Sequence, residues 1–143
     1  MKLIIEFKED GTLKNFQRID DAEKKGEGLK NVISQYGRTF DSTNMYWQGE
    51  DEDDMRYHRL FVKCVQDVAN EVLKDVGVLL LNDVYTMLGF DRTKIGAIVG
   101  WTYKKGNPDA DDHVYIDIIE IAEENVLLLD FNVDGCVLQY LRD

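Results

Sequence analysis

EDEDDMRYHRLFVKCVQDVANEVLKDVG, residues 50–77, is the stretch that decides the fold. Its first five residues, 50–54, are all acidic, and carboxylates are favoured there because they lie at the positive end of a helix dipole. Gly77 closes the stretch, as glycine commonly does just past a last helical turn. Between these ends, apolar side chains recur at helical spacing: Tyr57, Phe61, Val65, Val68, Val72 and Val76. The pattern predicts a long amphipathic helix that buries these residues.

The residues before this helix predict a β-hairpin followed by a less regular region. Apolar-rich runs at Lys2–Phe7 and Leu13–Ile19 flank an Asp-Gly pair, which tolerates the backbone of a tight turn. Residues 20–28 are almost entirely Asp, Glu, Lys and Gly, which indicates an exposed acidic loop. Two interpretations stay open for residues 29–48: a helix at the start, or an irregular stretch that packs or faces a partner through Phe40, Met45, Tyr46 and Trp47.

The residues after Gly77 predict short helices and then strands. Val78–Leu81 is strand-like, and Asn82 is a suitable N-cap for a short helix that ends at Gly89. A second short helix is expected between Asp91 and Gly100. Four β-like segments follow, and they predict an antiparallel β-meander: Trp101–Lys104, His113–Ile121, Val126–Phe131 and Cys136–Leu141.

These elements together predict one α+β domain over residues 1–143. It comprises an N-terminal β-hairpin, a long central amphipathic helix, two short helices and a C-terminal antiparallel β-meander. The hairpin and the acidic, irregular linker occupy residues 1–50, and the helix and sheet core occupies residues 51–143.

The charge of the chain bears on its partners. A formal net charge of −11 and a pI near 4.6 oppose binding to phosphate backbones, because nonspecific affinity for nucleic acid comes from Lys and Arg. A basic protein partner is favoured instead. The alternative is that acidity only keeps the protein soluble and monomeric. We expect no membrane association and a location in the cytoplasm of a host bacterial cell, because no secretion signal, long apolar segment or paired cysteine motif is visible.

A helix-turn-helix is the DNA-binding alternative. Within Leu81–Gly100, Gly89 falls at the expected turn, and Arg92, Thr93 and Lys94 would open the recognition helix. Tyr85, however, occupies the position where a small residue lets the two helices approach. A helix pair used only for packing explains the same pattern.

Catalytic and metal-binding sets are incomplete in the sequence. Cys64 and Cys136 are the available thiols and His58 and His113 the available imidazoles. His58 and Cys64, six residues apart on one helix, point in different directions, whereas His113 and Cys136 could meet across the meander, which the sequence leaves open. The run Asp130–Gly135 starts like a calcium loop, but the twelfth position, which must be an acidic ligand, is Leu141. The sequence therefore favours a protein without catalytic activity, metal or cofactor.

The segment after the long helix carries a spaced pattern: Leu81-Asn82-Asp83-Val84-Tyr85, Leu88-Gly89, Thr93, Gly96, Gly100-Trp101, and the acidic strand Tyr115-Ile116-Asp117. Through these residues, the region 54–131 resembles an uncharacterised family of small proteins from phages, prophages and mobile elements of Gram-positive bacteria. The resemblance implies origin and architecture, and it makes Tyr85 a feature of the family. It implies no activity.

The leading hypothesis is a non-enzymatic accessory protein of phage or mobile-element origin that binds a basic protein, such as a host nucleic-acid-binding defence machine, and inhibits it. The expected contact residues are Tyr46, Trp47, Glu50, Asp51, Glu52, Asp53 and Asp54. The alternatives are a DNA-binding regulator that uses Arg92, Thr93 and Lys94, and a virion or assembly protein. The sequence leaves the oligomeric state open.

Overall fold

The structure is a computed structural model that describes residues 2–7, 13–19, 34–49, 52–121 and 124–141. It confirms a mixed α+β fold. The helices and strands are Lys2–Phe7 (β1), Leu13–Ile19 (β2), Arg38–Phe40 (β3), Glu52–Val76 (α1), Val78–Leu80 (β4), Leu81–Leu88 (α2), Val99–Thr102 (β5), Ile116–Ile121 (β6), Val126–Phe131 (β7) and Gly135–Cys136 (β8). Single turns of 3-10 helix lie at Ile95–Ala97 and Leu138–Tyr140.

The N-terminal hairpin forms as predicted. β1 pairs with β2 in antiparallel register, from Lys2 opposite Ile19 to Phe7 opposite Leu13, with an irregularity after Glu6. The predicted Asp-Gly turn and the acidic loop at residues 20–28 lie outside the described residues.

The long helix α1 buries only part of the predicted apolar stripe. Of its residues, Val65 is buried and Phe61 and Val72 are partly buried against the core, but Tyr57, Val68 and Val76 are 50%, 52% and 64% exposed. The core also takes the side chains of Met55, Val62, Ala69 and Leu73. The sequence carries two apolar stripes on one helix, and periodicity alone does not say which one faces the core.

The C-terminal strands do not form one meander. β6 pairs with β7, and β7 pairs in turn with β3, so that Phe40 lies opposite Leu127. β5 belongs to a second antiparallel sheet, between β4 and β8. The strand β4 directly follows α1 and pairs with β5. β5 therefore does not pair with β6, as a single meander would require. The short strand β3, in the predicted N-terminal linker, also places Phe40 inside the core.

The region Leu81–Gly100, here called the motif segment, contains one α-helix and not two. α2 begins after the extended Leu80, so Asn82 is not its N-cap. Asn82 points inward and exchanges hydrogen bonds with the Thr93 backbone, whose N–H donates to Oδ1 and whose carbonyl accepts from Nδ2, both at 2.8 Å. This pairing holds Thr93 in an irregular conformation. The predicted second helix is therefore only the single 3-10 turn at Ile95–Ala97.

Close packing explains two glycines of the motif segment. A Cβ at Gly100 would collide with the carbonyl oxygen of Leu79 on the neighbouring strand β4, and a Cβ at Gly96 would collide with the Asn82 amide. The ring of Tyr85 is fully buried, and its hydroxyl donates to the Tyr36 carbonyl at 2.7 Å. Trp101, also fully buried, donates from Nε1 to Asn132 Oδ1.

None of the helices in the described part of the chain is long and apolar enough to cross a membrane.

Candidate protein-binding surface

The segment Asp41–Gly49, here called the aromatic loop, joins β3 to the start of α1 and consists of successive tight turns. The Asp41 carboxylate accepts hydrogen bonds from Thr43 N and Thr43 Oγ1, at 3.0 and 2.6 Å. Backbone bonds run from Asn44 N to the Asp41 carbonyl and from Trp47 N to the Asn44 carbonyl. The loop therefore satisfies much of its own backbone, as a fixed surface loop must.

Asn44 ties this loop to α2. Its Oδ1 accepts from Tyr46 N at 2.8 Å, and its Nδ2 donates to the Leu88 carbonyl at 3.0 Å. Leu88 is the last residue of α2, where carbonyls have no partner within the helix. One side chain thus closes a turn and satisfies a helix end.

His58 holds the other end of the loop. Its ring is fully buried and stacks on Trp47, with centroids 3.8 Å apart and an interplanar angle of 18°. Gln48 N donates to His58 Nε2 at 2.9 Å, so Nε2 must be unprotonated and the neutral ring carries its proton on Nδ1. Burial lowers the pKa of His58, against the opposing effect of the negative charge of Asp54. Nδ1 is buried, and the described residues offer it no hydrogen-bond partner.

The loop so fixed leaves large apolar side chains outside. Met45 is 74% exposed, Tyr46 is 40% exposed, and Tyr57 on the first turns of α1 is 50% exposed. The Tyr46 ring lies 5.3 Å from that of Phe61, one turn beyond Tyr57 on the helix. We call Met45, Tyr46 and Tyr57 the aromatic patch. A polar cavity of about 380 Å³ adjoins the loop and is lined by Arg38, Thr39, Thr43, Asn44, Gly89, Phe90 and Asp91.

The structure brings together part of the predicted contact set. Tyr46, Trp47 and Asp54 surround the start of α1, where Asp54 faces Gly49 and is half-buried. Trp47 supports the loop from inside, through His58 and a bond from Nε1 to the Gly49 carbonyl at 3.0 Å. Glu50 and Asp51 lie outside the described residues. Glu52 and Asp53 lie in the first turn of α1 and their side chains are not described.

Sequence reasoning misses one of the exposed side chains. The apolar repeat assigns Tyr57 to the buried stripe of the long helix, whereas Met45 belongs to the irregular stretch that is expected either to pack or to face a partner. The apolar character of Met45 beside Tyr46, in a stretch with no strand or helix period, is the signal that could have indicated a contact site.

The alternative DNA-binding residues are not equivalent in the structure. Arg92 and Lys94 are exposed, and Arg92 Nη1 lies 3.4 Å from Thr86 Oγ1. Thr93 is buried, and its hydroxyl accepts from Gly96 N at 2.9 Å. Because the second helix is a single 3-10 turn, the segment lacks the recognition helix that the helix-turn-helix hypothesis requires.

The thiols and imidazoles are separated. Cys64 and Cys136 are free and exposed, whereas His58 is sealed in the core. His113 is exposed, with Nε2 3.4 Å from Asn70 Nδ2. Across the residues that the structure describes, no cluster of His, Cys, Asp or Glu could hold a metal ion.

Asp134, within the run Asp130–Gly135, carries a half-buried carboxyl. Burial raises its pKa to about 6, and the charges of Asp111 and Asp112 act in the same direction, against the hydrogen bond from Thr102 N. That N–H donates to Oδ2 at 3.0 Å, while Oδ1 is buried without a partner among the described residues. Asp134 N donates in turn to the Gly100 carbonyl, so this carboxyl belongs to the sheet of β5.

The comparisons with other proteins assign no activity to the chain. No curated protein and no solved structure matches the chain. A model for a family of unknown function, DUF6353, matches residues 6–141. Because that match includes the aromatic loop, the long helix and the motif segment, the chain belongs to the DUF6353 family.

Proposed function

We propose that this protein acts by binding a protein partner through the aromatic patch and the acidic start of α1. The observation that carries the proposal is the combination of exposure and order. Met45 and Tyr46 are 74% and 40% exposed, yet the turns on either side of them are tied to α2 by Asn44 and to α1 by His58. An exposed apolar patch on a pre-ordered loop binds with little further loss of conformational entropy.

The charge around the patch supports a basic partner. Residues 50–54 are acidic, and the chain as a whole carries a formal charge of −11. In such an interface the buried aromatic and methionine side chains supply affinity, and the charged rim speeds association and selects the partner. A nucleic-acid-binding protein presents the complementary basic groove. Together with the resemblance to phage and mobile-element proteins, this supports an inhibitor of a host machine as the specific form of the proposal.

The test is capture of partners from host and phage-infected lysates treated with nuclease. A Met45→Ala, Tyr46→Ala double variant should lose the partner, because truncating central anchors costs roughly 2 kcal/mol or more, at least about 30-fold in affinity. Charge reversal of residues 50–54 should mainly slow association and weaken its dependence on salt. Tyr115→Ala is the matched control, since Tyr115 is 56% exposed and precedes β6, away from the loop.

The outcomes separate the hypotheses. A partner lost in the double variant and retained by Tyr115→Ala supports the proposed surface. Equal loss in both variants, or capture of nucleic acid alone, would refute it. Circular dichroism of each variant distinguishes lost binding from lost structure.

A further inference from the structure

A second exposed apolar surface runs along the outer side of α1. Leu60 and Val68 are 58% and 52% exposed, and Cys64 between them is also exposed. Residues four apart on a helix are surface neighbours, so these three form one line. The opposite side of α1 fills the core, and this outer line contributes nothing to it. We call Leu60, Cys64 and Val68 the outer stripe.

Charge is divided along the same side of the helix. The part around Leu60 carries Arg56, Arg59 and Lys63 without an intervening acid. The part around Val68 carries Asp67, Glu71 and Asp75, with Lys74 as the exception. A protein with a formal charge of −11 thus has a local basic stretch next to an acidic stretch, both beside an apolar line.

We propose that the outer stripe is the interface of a homodimer, in which α1 pairs with α1 of a second copy in antiparallel orientation. A two-fold axis near Cys64 places Leu60 of each copy opposite Val68 of the other. It also lays each basic stretch along the partner's acidic stretch, with Lys63 near Asp67 and Arg56 near Glu71. Parallel pairing would place like charges together, so the charge pattern selects the antiparallel, self-complementary arrangement.

The local shape fits this pairing. A groove of about 310 Å³ lies around Leu60, between the side chains of Arg56, Arg59 and Lys63. In the antiparallel dimer, this groove receives Val68 of the second copy. Arg59, which lines this groove, keeps its own partner, Glu120 Oε1, at 2.8 Å.

The first test is the mass of the full chain in solution, by sedimentation equilibrium over a range of concentrations. The wild-type chain should dimerise, and Val68→Lys should weaken the dimer roughly tenfold or more, because it places a further cation among Arg56, Arg59 and Lys63 of the second copy. Val68 is exposed, so the variant should keep the helical circular-dichroism spectrum of the wild type. A wild-type chain that stays monomeric throughout would overturn the proposal.

Charge exchange tests the orientation. Lys63→Asp and Asp67→Lys should each weaken the dimer, and the double variant should restore it, because the pair is re-formed with reversed signs. Mild oxidation tests the register: a disulfide-linked dimer should form in the wild type and in Cys136→Ser, but not in Cys64→Ser. Cross-linking through Cys136, or a double variant that dimerises no better than either single variant, would refute the antiparallel arrangement. Met45→Ala, Tyr46→Ala should dimerise normally, which separates this surface from the aromatic patch.

Discussion

The aromatic loop and the motif segment are both irregular, and both are organised by one asparagine. Asn44 accepts from Tyr46 N and donates to the Leu88 carbonyl, and Asn82 accepts from and donates to the Thr93 backbone. Their surroundings differ. Asn82 is 3% exposed, and its network lies inside the protein, whereas Asn44 is half-buried and is followed by the outward-facing Met45 and Tyr46.

The two regions therefore differ in role: the motif segment holds the fold together, and the aromatic loop presents side chains at the surface. In the motif segment, Tyr85, Thr93, Gly96 and Gly100 each have a packing or hydrogen-bonding use. In the aromatic loop, the same kind of hydrogen bonding leaves Met45 74% and Tyr46 40% exposed, although the Tyr46 ring also contacts that of Phe61. A spaced sequence pattern of the first kind therefore identifies a family, while the surface suited to a partner lies in the second.

Gly100→Ala should cause the largest loss of stability among these changes, because it disrupts the packing of the motif segment. The added Cβ meets the backbone carbonyl of Leu79, which cannot move without separating β4 from β5, so we expect a loss of about 3 kcal/mol in the free energy of unfolding. Urea denaturation measures it. Gly106→Ala is the control, because nothing surrounds that site and only its positive φ of 80° opposes a side chain, at about 1 kcal/mol. Equal losses at both glycines would disprove the close approach.

The two asparagines test the comparison directly. Asn82→Ala leaves buried backbone groups of Thr93 unpaired and should cost about 2–3 kcal/mol of unfolding free energy. Asn44→Ala exposes its former partners to water and should cost about 1 kcal/mol, with binding to the captured partner reduced. Denaturation and affinity are measured on both variants. Binding is compared under conditions in which the Asn82→Ala variant is folded. The division between the two regions would be wrong if this variant lost affinity for the partner as strongly as Asn44→Ala does.

The sequence predicted element positions better than it predicted which side of an element is buried. Acidic residues followed by a regular apolar repeat identify α1, because helix ends and periods are local properties. The choice between the two stripes of α1 is not local: Val68 and Val76 satisfy the period as well as Val62 and Leu73 do. Only the packing of the sheets on one side decides it.

The candidate site shows the same limit. Tyr46 and the acidic residues were predicted as contacts from composition. The inward position of Trp47 depends on His58, and the inward position of Thr93 depends on Asn82, partners that are 11 residues away in each case. Sequence spacing does not reveal such pairings, because they form where a helix and a loop fold against each other.

His58 gives the aromatic loop a pH dependence. Its pKa in the folded protein is lowered from 6.5, because burial disfavours the charged ring. The unfolded chain therefore binds a proton more readily below pH 6.5, and this group makes the protein less stable as the pH falls through that value. His58→Gln, whose amide oxygen can still accept from Gln48 N, should flatten this part of the stability curve measured by urea denaturation at pH 7.5 and 5.5. An unchanged slope would mean that the ring is not held neutral.

Asp134, beside the motif segment, makes the free energy of unfolding depend on pH in the opposite direction. Its expected effect is the smallest. Its folded pKa of about 6 lies above the ordinary 3.8, so the folded protein binds the proton more readily between these values. Stability from this group therefore rises as the pH falls from about 6 towards 4, and its ionised form opposes folding above pH 6. Asp134→Asn should remove this slope and raise the free energy of unfolding at pH 7.5 by about 1 kcal/mol, a value reduced for solvent screening of a partly exposed carboxyl. A less stable variant at pH 7.5 would show that the carboxylate is needed for the bond from Thr102 N. Opposite slopes, one removed by His58→Gln and the other by Asp134→Asn, would show that acid lowers the free energy of unfolding through the histidine that holds the aromatic loop and raises it through the carboxyl beside the motif segment.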